Sequence, residues 1–290
     1  MLAASAALAA AMVWAYWPTW CKLASSWHNQ PDYSHGFLVV PFAAYFLWAR
    51  RDRFPGAAGR FAWPGLVLVL LSLGLRFVSA HYYLEQIDGW SIPLWAAGLV
   101  WAFGGRRMLW WTLPAVVFLL FMVPLPFRVE RWVSLPLQTV ATKLSAWTLQ
   151  FLGQAALPVG HTIYLDKVSV PLEVERACSG LRIFVGILAL AFAYLVLVRQ
   201  TWWEKVILLV SVFPIAIAAN VTRIVATGLL YRYVSEEAGK KFSHDAAGLA
   251  MVALAAAMFA VVVWYLRRLF PALEPVDIKA VVRERLHETS

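Results

Sequence analysis

The sequence has few charged residues, few cysteines and none of the common soluble-site motifs. Of its 290 residues only 14% are charged, whereas a soluble domain normally has about 25%. Its two cysteines, Cys21 and Cys178, cannot form a disulfide framework or a cysteine-rich metal site. A Gly-rich phosphate loop, a zinc-spaced Cys/His cluster and an internal repeat are also missing. An ordinary soluble domain is therefore excluded, and no metal or cofactor is expected.

The start of the chain lacks the basic residues of a secretory signal. The first apolar stretch begins at Leu2, with no Lys or Arg before it. A signal peptide normally carries a positive segment there. We therefore expect this Ala-rich stretch to be the first membrane span.

Long apolar stretches dominate the rest of the sequence. Hydrophobic residues make up 62% of the chain, in stretches near 20 residues that are long enough to cross a hydrocarbon core of roughly 30 Å. Many of the 16 Trp and 10 Tyr lie at the ends of these stretches, as is typical of membrane interfaces. The pattern predicts an all-α integral membrane protein with about eight transmembrane helices, at residues 2–20, 35–49, 61–80, 90–104, 108–127, 178–198, 205–231 and 245–266.

The net charge of +9 comes mainly from short loops beside the spans, so it indicates membrane orientation rather than binding to nucleic acid. Basic residues are concentrated after spans two, four, six and eight. The positive-inside rule then puts both termini in the cytoplasm and turns loops 21–34, 81–89, 128–177 and 232–244 outward. We expect one membrane domain, 1–270, and a short basic cytoplasmic tail, 271–290.

The long outward segment has structure of its own. Apolar residues spaced four and three apart predict a helix that lies in the outer interface or packs against the bundle: Val133, Leu137, Val140, Leu144, Trp147 and Phe151. Alternation from Val168 to Val174 then predicts a strand, with Ile163 and Leu165 on an earlier partner. We expect a small β-hairpin, Val159 to Val174, between spans five and six.

Span six begins with a cysteine in its first turn. A helix N-terminus favours a thiolate at Cys178, and Arg182 lies four residues on, on the same face. A cation there lowers the pKa of the thiol further. The alternative is a small buried cysteine packed beside Gly180, with Arg182 reaching toward the headgroups.

Spans seven and eight carry two more polar groups that the charge rule places at the same membrane face. Arg223 lies in the outer third of span seven, with Asn220 three residues earlier on the same face. His244 lies at the first turn of span eight, after the plausible cap Ser243. Each has a structural alternative, a helix-bridging arginine and a junction histidine. Together, a thiol, an imidazole and a guanidinium are the groups that acyl transfer through a thioester needs.

At these residues the sequence resembles the exosortase/archaeosortase family of membrane proteins. The resemblance rests on Ala177 to Arg182, on Asn220 to Ile224, on His244-Asp245 with Ala247-Gly248, and on Ser34 to Pro41. It covers most of the chain, from about residue 27 to 266. Some family members have a large soluble domain after span eight, and we expect none after span eight here, so the subtype within the family stays open.

The resemblance implies a membrane cysteine protease or transpeptidase that cleaves C-terminal sorting signals of exported, membrane-anchored proteins. Such a signal has a Pro-Glu-Pro-type motif, a hydrophobic span and a basic cluster, and these systems are associated with exopolysaccharide production. Carried onto this chain, Cys178 is the nucleophile, and Arg223 and His244 complete a site that faces the periplasm of a multi-pass inner-membrane protein. Supporting or substrate-binding roles fall to Arg182, Asn220, Ser179, Glu173, Glu175, His35 and Asp245.

Two other functions stay open from the sequence. Arg76, Arg182 and Arg223 inside the spans are compatible with an anion transporter. A non-catalytic subunit of a polysaccharide export system is the second alternative. The solvated face of a strand is the favoured explanation of Glu173 and Glu175, and His35 is alternatively a histidine at headgroup level.

Overall fold

The computed structural model describes residues 10–11, 13–30, 33–56, 61–166, 168, 170–174, 180–198, 200–242 and 247–269. The chain is mostly helical, with one small sheet. In chain order its elements are α1 Trp17–Asn29, α2 Gly36–Ala49, α3 Trp63–Tyr82, α4 Glu85–Phe118, α5 Phe127–Phe151, β1 Ala156–Val159, β2 Thr162–Leu165, β3 Leu172–Glu173, α6 Gly180–Leu197, α7 Trp202–Tyr233, α8 Glu236–Lys241 and α9 Ala247–Leu269.

Three of the described helices are long and apolar enough to cross a bilayer: α3, α7 and residues 250–269 of α9. The helical segments 85–122 and 127–151 meet at a bend of 84°. If this bent pair counts as one span, the number of candidate spans is four. The helices at 36–49 and 183–197 are apolar but shorter. Large apolar side chains on α3 are exposed, Phe77 among them, as expected for a surface in contact with lipid. The structure confirms a helical membrane protein, and the count of eight spans stays a prediction.

Helix α4 reverses direction at Gly105. This residue has φ 75° and ψ 179°, which is not helical. A Cβ placed on Gly89 would lie 2.7 Å from the Val123 side chain, so residues far apart in sequence meet. The two legs therefore run antiparallel, and they are about 30 Å and about 20 Å long. They fall where spans four and five are predicted.

The first leg of α4 packs tightly against α3. A Cβ on Gly65 would lie 2.2 Å from the backbone nitrogen of Ala102, and one on Gly98 would lie 2.8 Å from that of Val69. The amide of Ala62 donates to the carbonyl of Ala102 at 2.9 Å. Small residues at such contacts let the two helix backbones approach closely.

The predicted first loop is wrong, because residues 21–29 are helical. Helix α1 runs from Trp17 to Asn29, and Pro18 lies in its first turn, where proline is well tolerated. Its polar residues suggest a loop, but Thr19, Leu23 and Trp27 are spaced by four and are buried together. The four-residue spacing of the buried side chains therefore indicates the helix better than the polar composition indicates a loop.

Helix α5 is confirmed, and it packs on the bundle through a face that shares only Leu137 with its apolar stripe. Four of the six stripe residues are exposed, with Trp147 at 69% and Phe151 at 91%. The buried face holds mostly small and polar residues, together with two leucines: Leu137, Gln138, Ala141, Thr142, Ser145, Ala146 and Leu149. An apolar face turned away from the protein, with the polar face turned inward, fits a helix in contact with lipid.

The sheet has three antiparallel strands in the order β1-β2-β3. The predicted pairing of the second and third strands is confirmed, with Ile163 opposite Leu172 and Thr162 opposite Glu173. The third strand is shorter than predicted, because it covers only Leu172–Glu173. Pro171 has no amide hydrogen to continue the ladder. Strand β1 before Gly160 extends the predicted hairpin.

Candidate functional site

Helices α6, α7 and α9 share one buried apolar cluster. It includes Ile183 and Ile187 from α6, Ala216 and Ala219 from α7, and Met251 from α9. The three motif blocks at Cys178, Arg223 and His244 lie in or immediately before these helices. The candidate site therefore belongs to this three-helix unit.

The starts of α6 and α9 lie at the same end of the cluster. Only residues 198–201 connect α6 to α7, so the two helices run antiparallel. Counted from that connection, Gly180 lies at the level of about Ala219, since each is about 25 Å along its helix. The ring of Tyr194 lies 6.1 Å from that of Phe259. Counted back from this pair, Ala247 reaches about the same level as Gly180.

Arg223 and Asn220 lie at this end of the cluster, on one face of α7. Asn220 is 1% exposed and Arg223 is 4% exposed. Their Oδ1, Nε and Nη2 atoms have no hydrogen-bond partner in the described part of the chain. A buried polar atom without a partner costs about 1–3 kcal/mol, and more when it is charged. Such groups within membrane helices indicate function.

The sheet packs against α7 about one turn beyond Arg223. A Cβ on Gly228 would lie 3.0 Å from the Leu172 side chain and 3.4 Å from those of Leu165 and Leu149. Val174 and Leu172 are buried in one cluster with Ile224 and Val225. Described residues on both sides of segment 175–179 are thus packed on or beside α7.

The comparison with known families adds to this geometry. A model of the transmembrane exosortase family matches residues 27–261, which is most of the chain and includes the blocks at Cys178, Arg223 and His244. The chain belongs to the transmembrane exosortase family. No significant match to a curated protein or to a solved structure is found. The predicted family resemblance is confirmed.

Several predicted site residues of this exosortase lie outside the described residues. These are Cys178, Ser179, Glu175, His244 and Asp245. Arg182 belongs to α6, but its side chain is also outside the described part. The described residues place Arg223 and Asn220 together, and the other members of the predicted site stay predictions.

His35 and Glu173 lie on two other elements. His35 precedes α2, and its Nε2 lies 3.1 Å from the carbonyl oxygen of Phe121. Glu173 is exposed on β3, opposite Thr162. Nearby, Trp27 donates from Nε1 to the carbonyl of Met122 at 2.7 Å. His35 and Trp27 therefore engage two carbonyls of the turn that ends the second leg of α4, which is a structural contact.

Arg76 lies in a separate polar cavity of about 480 Å³ among α1, α3, α4 and the start of α5. Its Nε lies 3.8 Å from Asp88, and its guanidinium covers the Tyr16 ring at 4.2 Å. Lys22 and Glu85 form a second ion pair at 2.7 Å. These contacts join α3 and α1 to α4. Arg76 is thus engaged away from Arg223.

Sequence reasoning missed Gln138 and Ser145 on α5. Both are buried, and Gln138 Oε1 and Ser145 Oγ lack a hydrogen-bond partner among the described residues. A signal was present, because Gln138, Thr142 and Ser145 are spaced four and three apart within an apolar helix. The apolar stripe on the neighbouring face was the stronger pattern, so this polar stripe was not recognised.

Proposed function

We propose that this exosortase is a membrane cysteine protease or transpeptidase that processes C-terminal sorting signals through a thioester. Cys178 is the nucleophile, Arg223 stabilises the oxyanion, and His244 transfers the proton. The substrates are exported proteins that the sorting tail holds in the membrane. The alternative assignment, in which His244 first deprotonates the Cys178 thiol, uses the same residues.

The buried guanidinium of Arg223 is the observation that carries this proposal. It lies almost fully inside the protein, two of its nitrogen atoms have no partner in the described ranges, and Asn220 lies beside it. A buried cation without a carboxylate is costly unless a negative charge forms beside it. An oxyanion formed during acyl transfer supplies that charge at the moment of reaction.

The arrangement of the helices supports the placement of the nucleophile and the histidine. Segment 175–179 joins β3, which packs at Gly228, to α6, which packs on α7. Segment 243–246 precedes α9, whose start lies at the level of Gly180 by helix counting. The described residues that flank both motif segments therefore lie at the end of the cluster that holds Arg223, which supports the proposed site.

The proposed chemistry has two steps. The Cys178 thiolate attacks a peptide carbonyl, and the tetrahedral oxyanion is held by Arg223. The C–N bond then breaks, the departing amine takes a proton from the His244 imidazolium, and a thioester to the N-terminal part of the substrate remains. Water or an amine or hydroxyl acceptor next attacks the thioester carbonyl, with its proton going to His244, and the thiolate is released.

The orientation of the site follows from the basic loops. Arg50, Arg51 and Arg53 after α2, and Arg106 and Arg107 at the reversal of α4, put these ends in the cytoplasm. The site at the opposite end of α6, α7 and α9 then faces the periplasm, with both termini cytoplasmic. A sorting tail whose apolar span is inserted in the same bilayer would present its cleavage motif at that face.

Transport is less well supported than catalysis. An anion path needs cations that follow one another across the bilayer. Arg76 instead contacts Asp88 and Tyr16 in another part of the molecule. Arg223 has no described link to it. The transport alternative predicts that loss of the thiol leaves function intact, and the experiment below also tests this.

The experiment is processing of a co-expressed substrate that carries a sorting tail. Cys178→Ala should abolish cleavage while the protein stays inserted, and Cys21→Ala, at the exposed cysteine of α1, should process at the normal rate. Mass spectrometry of the new C-terminus of the substrate separates hydrolysis from transfer to an acceptor. Undiminished processing by Cys178→Ala would overturn the proposal.

A further inference from the structure

The interface of α5 and α7 holds a set of buried polar atoms with no partner in the part of the chain that the structure describes. They are Oε1 of Gln138 and Oγ of Ser145 on α5, with Oδ1 of Asn220 and Nε and Nη2 of Arg223 on α7. Gln138 is 7% exposed and Ser145 is fully buried. We call this set the α5/α7 polar seam.

Two contacts fix how the helices lie along the seam. Leu137 of α5 and Asn220 of α7 border one small gap, which marks the end of the seam nearer the start of α5. At the other end, a Cβ on Gly228 would lie 3.4 Å from the Leu149 side chain. The two helices therefore run in the same direction, and the polar positions 138–145 of α5 lie alongside positions 220–227 of α7. The unpartnered atoms of both helices share one stretch of interface.

The threonines in the seam are already satisfied by their own helices. Thr142 donates to the carbonyl of Gln138 at 2.8 Å, and Thr227 donates to the carbonyl of Arg223 at 2.9 Å. Their hydroxyl hydrogens are thus not available to the side-chain oxygens of Gln138 and Asn220. Apolar residues of similar size would avoid the cost of about 1–3 kcal/mol for each unpartnered group. We therefore look for the missing partner outside the described chain.

The chemistry of the unpartnered atoms restricts that partner. Gln138 and Asn220 offer side-chain carbonyl oxygens that accept, Arg223 offers two nitrogen atoms that donate, and the Ser145 hydroxyl does both. An ionised carboxylate or phosphate only accepts hydrogen bonds, so it would leave the side-chain oxygens of Gln138 and Asn220 without a donor. A metal cation would be repelled by Arg223. A peptide main chain carries N–H and C=O groups side by side and satisfies both kinds.

We propose that the α5/α7 polar seam binds the main chain of the substrate peptide beside the bond that is cleaved, and that Gln138 is a substrate-binding residue. This inference rests on the proposed function, and it adds a helix that the three motif blocks do not include. Gln138 and Asn220 accept N–H groups of the peptide, and Arg223 faces a carbonyl. Helix α5 is then one wall of the substrate site.

Binding of a synthetic peptide to the Cys178→Ala protein in nanodiscs tests this directly, because no turnover occurs. The peptide carries a Pro-Glu-Pro-type motif, an apolar span and a basic cluster, and a second version has N-methylated amides next to the motif. Methylation removes the N–H donors, so we expect about tenfold weaker binding. Gln138→Met in the same background should bind the unmodified peptide about tenfold more weakly and respond less than about twofold to methylation.

Thermal stability separates binding from a structural role. Gln138→Met should unfold at the same or a higher temperature, since it removes an unpartnered buried oxygen. Gln150→Met on the same helix is the matched control, because it removes the bond from Nε2 of Gln150 to the carbonyl of Ala156 at 2.7 Å, and it should unfold at a lower temperature.

Failure of this inference differs from failure of the proposed function. If methylation weakens binding equally with and without Gln138, or if Gln138→Met lowers stability and leaves binding unchanged, the peptide-binding role of the seam is wrong. Neither result concerns the nucleophile. Processing that survives Cys178→Ala would instead overturn the thioester mechanism, and the coupling between Gln138 and the peptide amides would still be measurable.

Discussion

Asn220 and Arg223 lie three residues apart on one face of α7, and both side chains are almost fully buried. Residues at this spacing are neighbours on a helix surface. The side-chain oxygen of Asn220 and two guanidinium nitrogens of Arg223 lack hydrogen-bond partners among the described residues. An acceptor oxygen and two donor nitrogens therefore lie side by side in the protein interior, and the proposed oxyanion and peptide-binding roles depend on this pair.

Replacing Arg223 should stop processing while the fold persists. Arg223→Met removes the proposed oxyanion donor and a costly buried charge, so we expect a loss of about 100-fold or more in the processing rate with little loss of thermal stability. Single-turnover cleavage in detergent measures the rate. Arg232→Met on the same helix is the control and should retain normal processing. A rate for Arg223→Met within twofold of the unchanged protein would contradict this role.

The close contact of α3 and α4 predicts a position-specific glycine requirement. Gly65→Val puts side-chain atoms onto the backbone of Ala102 and should lower the free energy of unfolding by about 1–3 kcal/mol or more. Gly74→Val in the same helix meets open space and should change it by less than about 0.5 kcal/mol. Reversible unfolding in mixed micelles measures both. Equal effects at the two glycines would show that the helices do not pack in this way.

The reversal at Gly105 makes a similar prediction for backbone conformation. A non-glycine residue with φ 75° and ψ 179° is strained, so Gly105→Ala should destabilise the protein by about 1–3 kcal/mol. Gly186→Ala, within α6 and with nothing nearby for its Cβ to meet, should stabilise by about 0.5–1 kcal/mol. Opposite signs in thermal unfolding are the expected result. A stabilising Gly105→Ala would indicate that α4 continues straight.

The bond between Trp27 and Met122 predicts a cost for losing one indole N–H. Trp27→Phe leaves the buried carbonyl of Met122 without this donor and should cost about 1–3 kcal/mol. Trp17→Phe, at an exposed position of the same helix, should be within about 0.5 kcal/mol of neutral. The comparison is made by chemical unfolding in detergent. Similar values for both would mean that the bond contributes nothing.

Apolar runs predicted the major helices well, since hydrophobic length is a strong signal. Span seven, predicted at 205–231, corresponds to α7. The helix starts three residues earlier than predicted, at Trp202, and the sequence contains a signal for this start. Thr201 and Glu204 form a capping box, with the Thr201 amide donating to Glu204 at 2.7 Å. Helix α8 was missed although Ser235 caps it and acidic and basic residues lie at its two ends.

Other features depend on tertiary contacts and carry little local signal. The reversal at Gly105 is not among them, because it falls in the predicted loop between spans four and five, which holds Arg106 and Arg107. The apolar stripe of α5 is the stronger sequence pattern, although most of it faces away from the bundle, so Gln138 and Ser145 were not singled out. For the site, sequence order indicated Arg223 and Asn220, but only the packing of α5 on α7 shows that Gln138 belongs beside them.

The central claim is that the thiol of Cys178 forms a covalent acyl intermediate with the substrate. The most direct measurement is acid-quenched mass spectrometry of the protein after brief reaction with a sorting-tail substrate. We expect a hydroxylamine-sensitive adduct on the peptide that contains Cys178, and none in the Cys178→Ala variant. Cleaved substrate with no adduct on Cys178, or an adduct confined to Cys21, would contradict the account.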